Sequence, residues 1–313
     1  MKAIFYFFLL SLCLTACKEG TEPALEAQLS QATDLAASKL YDEALDIFEN
    51  VLVQNHQHSD ALVGVAKMHY KMGDYNKALQ KANHLIETDP KQIDHYLLRG
   101  NIYLRQKETY KALKDFNAAV KINTRYYLAL NDRAMAYLEL EKYSEALKDL
   151  NTSILLEPSN ASAYYNRGQV KIKQKEARKA IYDYNQALHL NPDLLEAYLM
   201  RGLAYLKLKN NMQAFQDYNE VIEREPQNDL AYSYRAHLFF VNLNFKAALR
   251  DYNQAISINA LKATYYYSRS LTKYMLGKKN KKSACIDLEN ALELGLNVSG
   301  KNMRKIKTFC EMK

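Results

Sequence analysis

Small and apolar residues recur along the chain with one long period. Ala44, Ala78, Ala112, Ala146, Ala180, Ala214 and Ala248 stand 34 residues apart without a slip. Polar residues keep the same period: Arg99, Arg133, Arg167, Arg201, Arg235 and Arg269, then Asp115, Asp149, Asp183, Asp217 and Asp251. Pro90, Pro158, Pro192 and Pro226 share one phase of it. No bias of composition produces such a coincidence in several residue types, so the chain is a tandem repeat of one supersecondary unit. Each period holds two stretches of helical patterning, and Pro disfavours continuing the second, which marks the passage into the next unit.

In the unit Leu195–Asn228, Tyr198, Arg201-Gly202, Tyr205, Ala214, Tyr218 and Pro226 fall in order. Ala161–Leu194 gives Tyr164, Arg167-Gly168, Ala180, Tyr184 and Pro192, with Lys171 where an aromatic is usual. Ile93–Tyr126 gives Tyr96, Arg99-Gly100, Tyr103, Ala112 and Phe116, with Thr124 in place of Pro. This pattern resembles the tetratricopeptide repeat (TPR) family. The small residues at the eighth and twentieth positions let two antiparallel helices (A and B) approach closely. The rings or Leu at the fourth and twenty-fourth positions fill the space between them.

The resemblance implies an all-α, right-handed superhelical solenoid with the A helices on its concave side. Counting outward gives about eight helix-turn-helix units over residues 25–298: Leu25–His58, Ser59–Gln92, Ile93–Tyr126, Tyr127–Asn160, Ala161–Leu194, Leu195–Asn228, Asp229–Lys262 and Ala263 to about Val298. The first two are degenerate, with Gln28 and Leu62 at the aromatic position, and the last carries a two-residue insertion around Gly277–Lys282 that moves its Ala to Ala284. A capping helix is expected within residues 299–313, where Met303, Ile306 and Phe309–Cys310 lie about one turn apart.

The N-terminus changes the picture of where this body resides. Lys2 and the apolar run Ala3–Leu12 fit a secretory signal, too short for a spanning helix. Leu14-Thr15-Ala16-Cys17 resembles the lipobox of bacterial lipoproteins. By that resemblance residues 1–16 are removed, Cys17 becomes a lipidated first residue, and residues 17–24 are its tether. Multiple acyl chains make such attachment stable. The expectation is therefore a body lipid-anchored to the outer membrane, on the periplasmic side or at the cell surface. Of four Cys, Cys285 and Cys310 then remain, and an even pair in an oxidising compartment favours a disulfide, two unpaired buried thiols being the alternative. The ending from Ala284-Cys285 through Leu294-Gly295 to the late Cys resembles that of TPR lipoproteins of the Bacteroidota, and a bridge there would staple the capping helix to the last B helix.

Charge and chemistry narrow the function. The net charge is +8, but cations are scattered among acids except at Lys278, Lys279, Lys281, Lys282, Lys301, Arg304, Lys305 and Lys307, read as a solvated end face. No nucleic-acid partner is expected. The seven His are dispersed, and no phosphate loop, HExxH, GxSxG or CxxC is present, so no catalytic residue, metal site or cofactor is expected. The Arg and Asp ladders read as partners of each other between helices, and the Asn series Asn117, Asn151, Asn185, Asn219 and Asn253 as a link between units.

Binding residues should instead vary from unit to unit. In TPR proteins the fifth and ninth positions of helix A face the concave groove. Candidates here are Asn101, Asn131, Met135, Tyr165, Gln169, Leu199, Leu203, His237, Tyr267 and Leu271, with the groove more apolar toward Phe240, Tyr274 and Met275. The Lys and Asn pair by which one TPR subclass grips chaperone carboxylates occurs in no unit. The expected function is an envelope-anchored scaffold that binds a peptide or partner subunit in this groove. The alternative is a glycan-binding accessory protein of cell-wall or polysaccharide handling, suggested by 25 Tyr.

Overall fold

A computed structural model describes residues 23–297 and 300–311. The signal, Cys17 and most of the tether expected from sequence lie outside the described residues. The described residues form helices and turns only. The first helix, α1, covers residues 23–37, and α2 is Tyr41–Gln54. Thereafter A helices begin at the first position of each expected unit: α3 Ser59–Met72, α5 Ile93–Arg105, α7 Tyr127–Glu139, α9 Ala161–Lys173, α11 Leu195–Lys207, α13 Asp229–Val241 and α15 Ala263–Met275. Their B partners are α4 Tyr75–Thr88, α6 Thr109–Ile122, α8 Tyr143–Leu156, α10 Ala177–Leu190, α12 Asn211–Arg224, α14 Phe245–Ile258 and α16 Lys281–Glu293. The insertion before α16 takes the form of a short 3-10 turn, η1 (Lys278–Asn280), and α17 is Lys301–Glu311.

Two turns recur, and each has a local cause. Between A and B helices, the fifteenth residue takes a positive φ in every unit: Lys39, Lys107, Glu141, Lys175, Lys209 and Leu243 at 58 to 64°, and Gly73 and Gly277 at 90° and 92°, Gly277 with an extended ψ of −173°. The following amide closes back on the helix in most of them, as in Glu108 N–H to the Tyr103 carbonyl at 2.9 Å and Asn244 N–H to Phe239 at 2.9 Å. Between B and the next A helix, a side-chain oxygen at the thirty-first position accepts the amide two residues on. Asn55, Asp89, Asn123, Asn191 and Asn259 all do so, at 2.9 to 3.3 Å. That turn forms with or without the following Pro, which explains why Thr124 and Ala260 can stand at the Pro position.

The chain divides into two compact units, residues 1–156 and 157–313. In the first, α4 and α6 each pack on their own A helix and on the next one, α2 packs on α3 and α8 on α7, and α3, α5 and α7 also touch side by side. In the second, α9, α11, α13 and α15 do the same. Within each unit, no two B helices are in contact among the described residues, so the A helices form its tighter, inner layer.

The periodic Ala residues from Ala44 to Ala248, and the shifted Ala284, have no exposed surface. Opposite them, Gly100, Gly168 and Gly202 sit against Phe116, Tyr184 and Tyr218; a Cβ on any of them would fall 2.5 to 2.6 Å from the ring. Where the twenty-fourth residue is smaller, the eighth carries a side chain, as in Ala134 with Leu150 and Ala66 with Ala82.

α17 packs on both α15 and α16, as the A helix of a further unit would. Met303 and Ile306 join Leu288 in a core flanked by Tyr267, Leu271 and Tyr274, and Tyr274 meets Phe309 edge to face at 5.0 Å. Cys285 and Cys310 are disulfide-bonded and tie α17 to α16.

Candidate functional site: the A-helix face

The ladders pair with each other, as their equal recurrence suggested. Arg99 holds Asp115 through Nε at 2.8 Å and Nη2 at 2.7 Å, and its Nη1 donates to Asn83 of the preceding B helix at 2.9 Å. Arg133 repeats this with Asp149 and Asn117, Arg201 with Asp217 and Asn185, Arg235 with Asp251 and Asn219, and Arg269 with Asp287 and Asn253. Arg167 grips Asp183, and Lys171 reaches the same carboxylate at 2.6 Å. Lys273 does likewise to Asp287 at 2.7 Å. A planar five-donor fork is required here, because one guanidinium spans its own B helix and the previous one. The hydrogen bonds to Asp115 and Asp149 hold Arg99 and Arg133 even further above their usual range. These residues are occupied and offer nothing to a ligand.

Tyrosines serve the same seams. Tyr164, Tyr198, Tyr232 and Tyr266 lie under the guanidinium three residues on, at 5.3 to 5.5 Å. Tyr184 and Tyr218 are fully buried, and burial pushes their hydroxyls well above the usual phenol range. A Tyr-rich composition is thus largely a packing device.

On the A-helix face, the expected groove residues separate into two groups. Asn101, Met135, Tyr165, Gln169 and Leu203 are partly exposed, and His237 is exposed and stacked on Phe240. Tyr267 and Leu271 are partly exposed as well, whereas Leu199 and Asn131 are corrected. Leu199 is buried, because Tyr234 of α13 and Leu238 close over it together with Tyr218. Asn131 is buried and donates to its neighbour Asp132 at 3.2 Å. Tyr267 and Leu271 flank the core beneath α17, so the apolar C-terminal end of the groove is largely the seat of the cap. Tyr165 is partly exposed while its ring packs against Tyr184 at 5.9 Å, and burial pushes its hydroxyl up to about 12.

In the first unit the same face is polar. Asp132 of α7 accepts from Asn101 of α5 at 2.9 Å as well as from Asn131. Burial pushes its carboxyl above the usual range, against the lowering effect of the two amides. Tyr126 donates to Asp94 at 2.8 Å and is raised to about 12, first by burial and then by this bond. Sequence reading did not single out Asp132, the sixth residue of its repeat.

Among the described residues no group of three His, Cys, Asp or Glu could hold a metal ion, and no helix is long and apolar enough to cross a membrane.

Fold and face together define a helical-repeat scaffold, in which an invariant framework carries a variable inner surface. Family models described as TPR repeat or tetratricopeptide repeat match residues 35–102, 94–126, 134–175, 161–194 and 195–228, together more than half of the chain. The chain belongs to the tetratricopeptide repeat family, a class of protein–protein interaction scaffolds.

Solved structures share the fold. A tetratricopeptide repeat protein from Parabacteroides merdae is 24% identical over 82% of this chain and 98% of its own, with a TM-score of 0.59. A thermophilic TPR protein of Thermus thermophilus is 24% identical over 58% of this chain and 99% of its own, at 0.55. A chain of the APC/C hetero-tetramer Cut9-Hcn1 is 14% identical, covering 91% of this chain but 55% of its own, at 0.71. No curated protein sequence matches the chain.

Proposed function

We propose that this protein is an envelope-anchored scaffold that docks an extended peptide or partner segment along its A-helix face. The observation that carries the reading is the division of labour among side chains. Arg, Asp, Asn, Gly and Ala repeat unit after unit and are consumed by packing, whereas Asn101, Met135, Gln169, Leu203 and His237 share one register, differ from one another and stay accessible. Mixed polar and apolar groups spaced along the inner helix layer of each compact unit suit a chain laid across them. The lipobox-like Leu14-Thr15-Ala16-Cys17 supports attachment through Cys17 at the outer membrane.

Two measurements test the reading. Crosslinking in cells followed by mass spectrometry should recover one partner segment, lost from Gln169→Ala/Leu203→Asp/His237→Ala protein; an unchanged partner list sinks the assignment of the face. Cys17→Ala should abolish acylation and release the protein from membranes; retention in the membrane fraction sinks the anchor.

A further inference from the structure

We propose that Asp132, framed by Asn101 and Asn131, is a receptor for one Lys or Arg side chain of a peptide bound on the A-helix face of the first unit. The inference rests on the peptide-docking reading above and names the chemistry of one of its contacts.

The argument starts from how this fold treats carboxylates elsewhere. Six aspartates stand between helices, Asp115, Asp149, Asp183, Asp217, Asp251 and Asp287, and each is buried and gripped by an Arg through two bonds. A carboxylate removed from water needs that provision, because its ionised form loses solvation that only a cation or several donors replace. Asp132 lies between α5 and α7, partly buried, and has two neutral amides only. Among the described residues no Lys or Arg pairs with it. Arg133, the next residue, is committed to Asp149 and Asn117.

The two amides leave acceptor capacity on a carboxylate that offers about four lone-pair sites. What is missing is a donor bearing positive charge. The surroundings fit one on a carbon stem. Met135 follows Asp132 by three residues on the same helix face and is partly exposed, giving an apolar wall for the methylenes of Lys or Arg. A metal ion fits less well, since hard cations take six or more oxygen ligands and the neighbouring amides donate here. Asp132 is therefore placed to read charge at one position of a bound chain, while the face around it reads shape.

The test is selection of displayed random dodecapeptides on the intact chain and on Asp132→Asn in parallel. Peptides taken by the parent should share a Lys or Arg at one fixed position. Replacing that Arg by citrulline should weaken binding to the parent at least tenfold, and Asp132→Asn should bind the two versions alike. Selected peptides without a fixed cation, yet lost on Leu203→Asp, would overturn this inference and leave the docking face standing. Failure to select any peptide would overturn both. Asp132→Asn must also resist urea at neutral pH at least as well as the parent; a less stable variant would make Asp132 a clip between α5 and α7 and overturn the receptor.

Discussion

Two places in this molecule draw a carboxylate wholly or partly away from bulk water, and they do so on opposite terms. In the seams between A and B helices every aspartate meets an arginine fork, and some meet a lysine as well. On the A-helix face Asp132 meets two amides and no cation. The same residue type is structural in the first setting and poised in the second. The difference teaches that periodicity marks the framework, and that a charge breaking the period without a partner is where the surface has something left to bind.

The comparison is broken most severely at Asp183, which has no exposed surface and answers both Arg167 and Lys171. Asp183→Ala leaves two cations in the seam without their counter-ion and should cost about 3–5 kcal/mol. Urea unfolding followed by circular dichroism reads this as a lower midpoint. A change below about 1 kcal/mol would mean that the seam is wetter than its geometry implies.

Next in size is the cap. α17 takes the place of a further A helix but, among the described residues, forms no ion pair with α16, and the Cys285–Cys310 bond is the covalent tie between them. The bridge closes a segment with a sequence separation of 25, worth about 3 kcal/mol in the chain-entropy view. Reduction or Cys310→Ser should therefore raise amide exchange first in α17 and then around Leu288, leaving residues 93–156 protected. Uniform loss of protection would show that the cap holds more than its own end.

A smaller effect sharpens the framework side. Gly168→Ala would place a methyl 2.5 Å from the ring of buried Tyr184. Ala236 coexists with Tyr252, so a ring can adjust at this register, and the cost should lie at the low end of about 1–3 kcal/mol. Adding Tyr184→Leu, which copies the Ala134–Leu150 pair, should recover part of it in a double-mutant cycle. Smaller again is Leu243→Gly. Leu243 is 71% exposed at φ 61°, and relief of left-handed strain against the entropy of a new glycine should net less than about 1 kcal/mol of stabilisation.

The architecture was legible because its causes are side chains that repeat. Ala at the twentieth position and Pro at the thirty-second fixed the register so closely that each A helix from α3 to α15 starts where the period placed it. The positive-φ turn at the fifteenth position was hidden, since Lys39, Lys107, Glu141, Lys175, Lys209 and Leu243 are not residues that announce such a conformation, and only Gly73 and Gly277 do. The asparagines of the second turn were in plain view, but their meaning lies in a bond to the backbone two residues on. The face was less legible for a physical reason. Whether a fifth-position side chain is exposed depends on the sixth-position residue of the next A helix, and Tyr234 buries Leu199 while nothing in the sequence of α11 says so. The same dependence hid Asp132, whose significance comes from the cation that its neighbours do not supply.

The smallest predicted change is the one with the most specific sign. Burial holds the Asp132 carboxyl above its usual range, so its ionised form is less welcome in the folded protein than in the unfolded chain. A group raised in this way supports folding fully below its unfolded value, and that support is lost as pH rises through the folded value. Asp132→Asn keeps the shape and removes the charge. Its stability relative to the parent should therefore be greatest at neutral pH and shrink as the pH falls through the carboxylate range. Asp183→Asn should do the reverse at neutral pH, where its charge is answered by Arg167 and Lys171. Parallel urea titrations of both variants from pH 7 down to about pH 4 bracket the ordinary carboxylate value. If both variants lose stability at neutral pH, Asp132 belongs with the seam carboxylates and the contrast between the two settings fails.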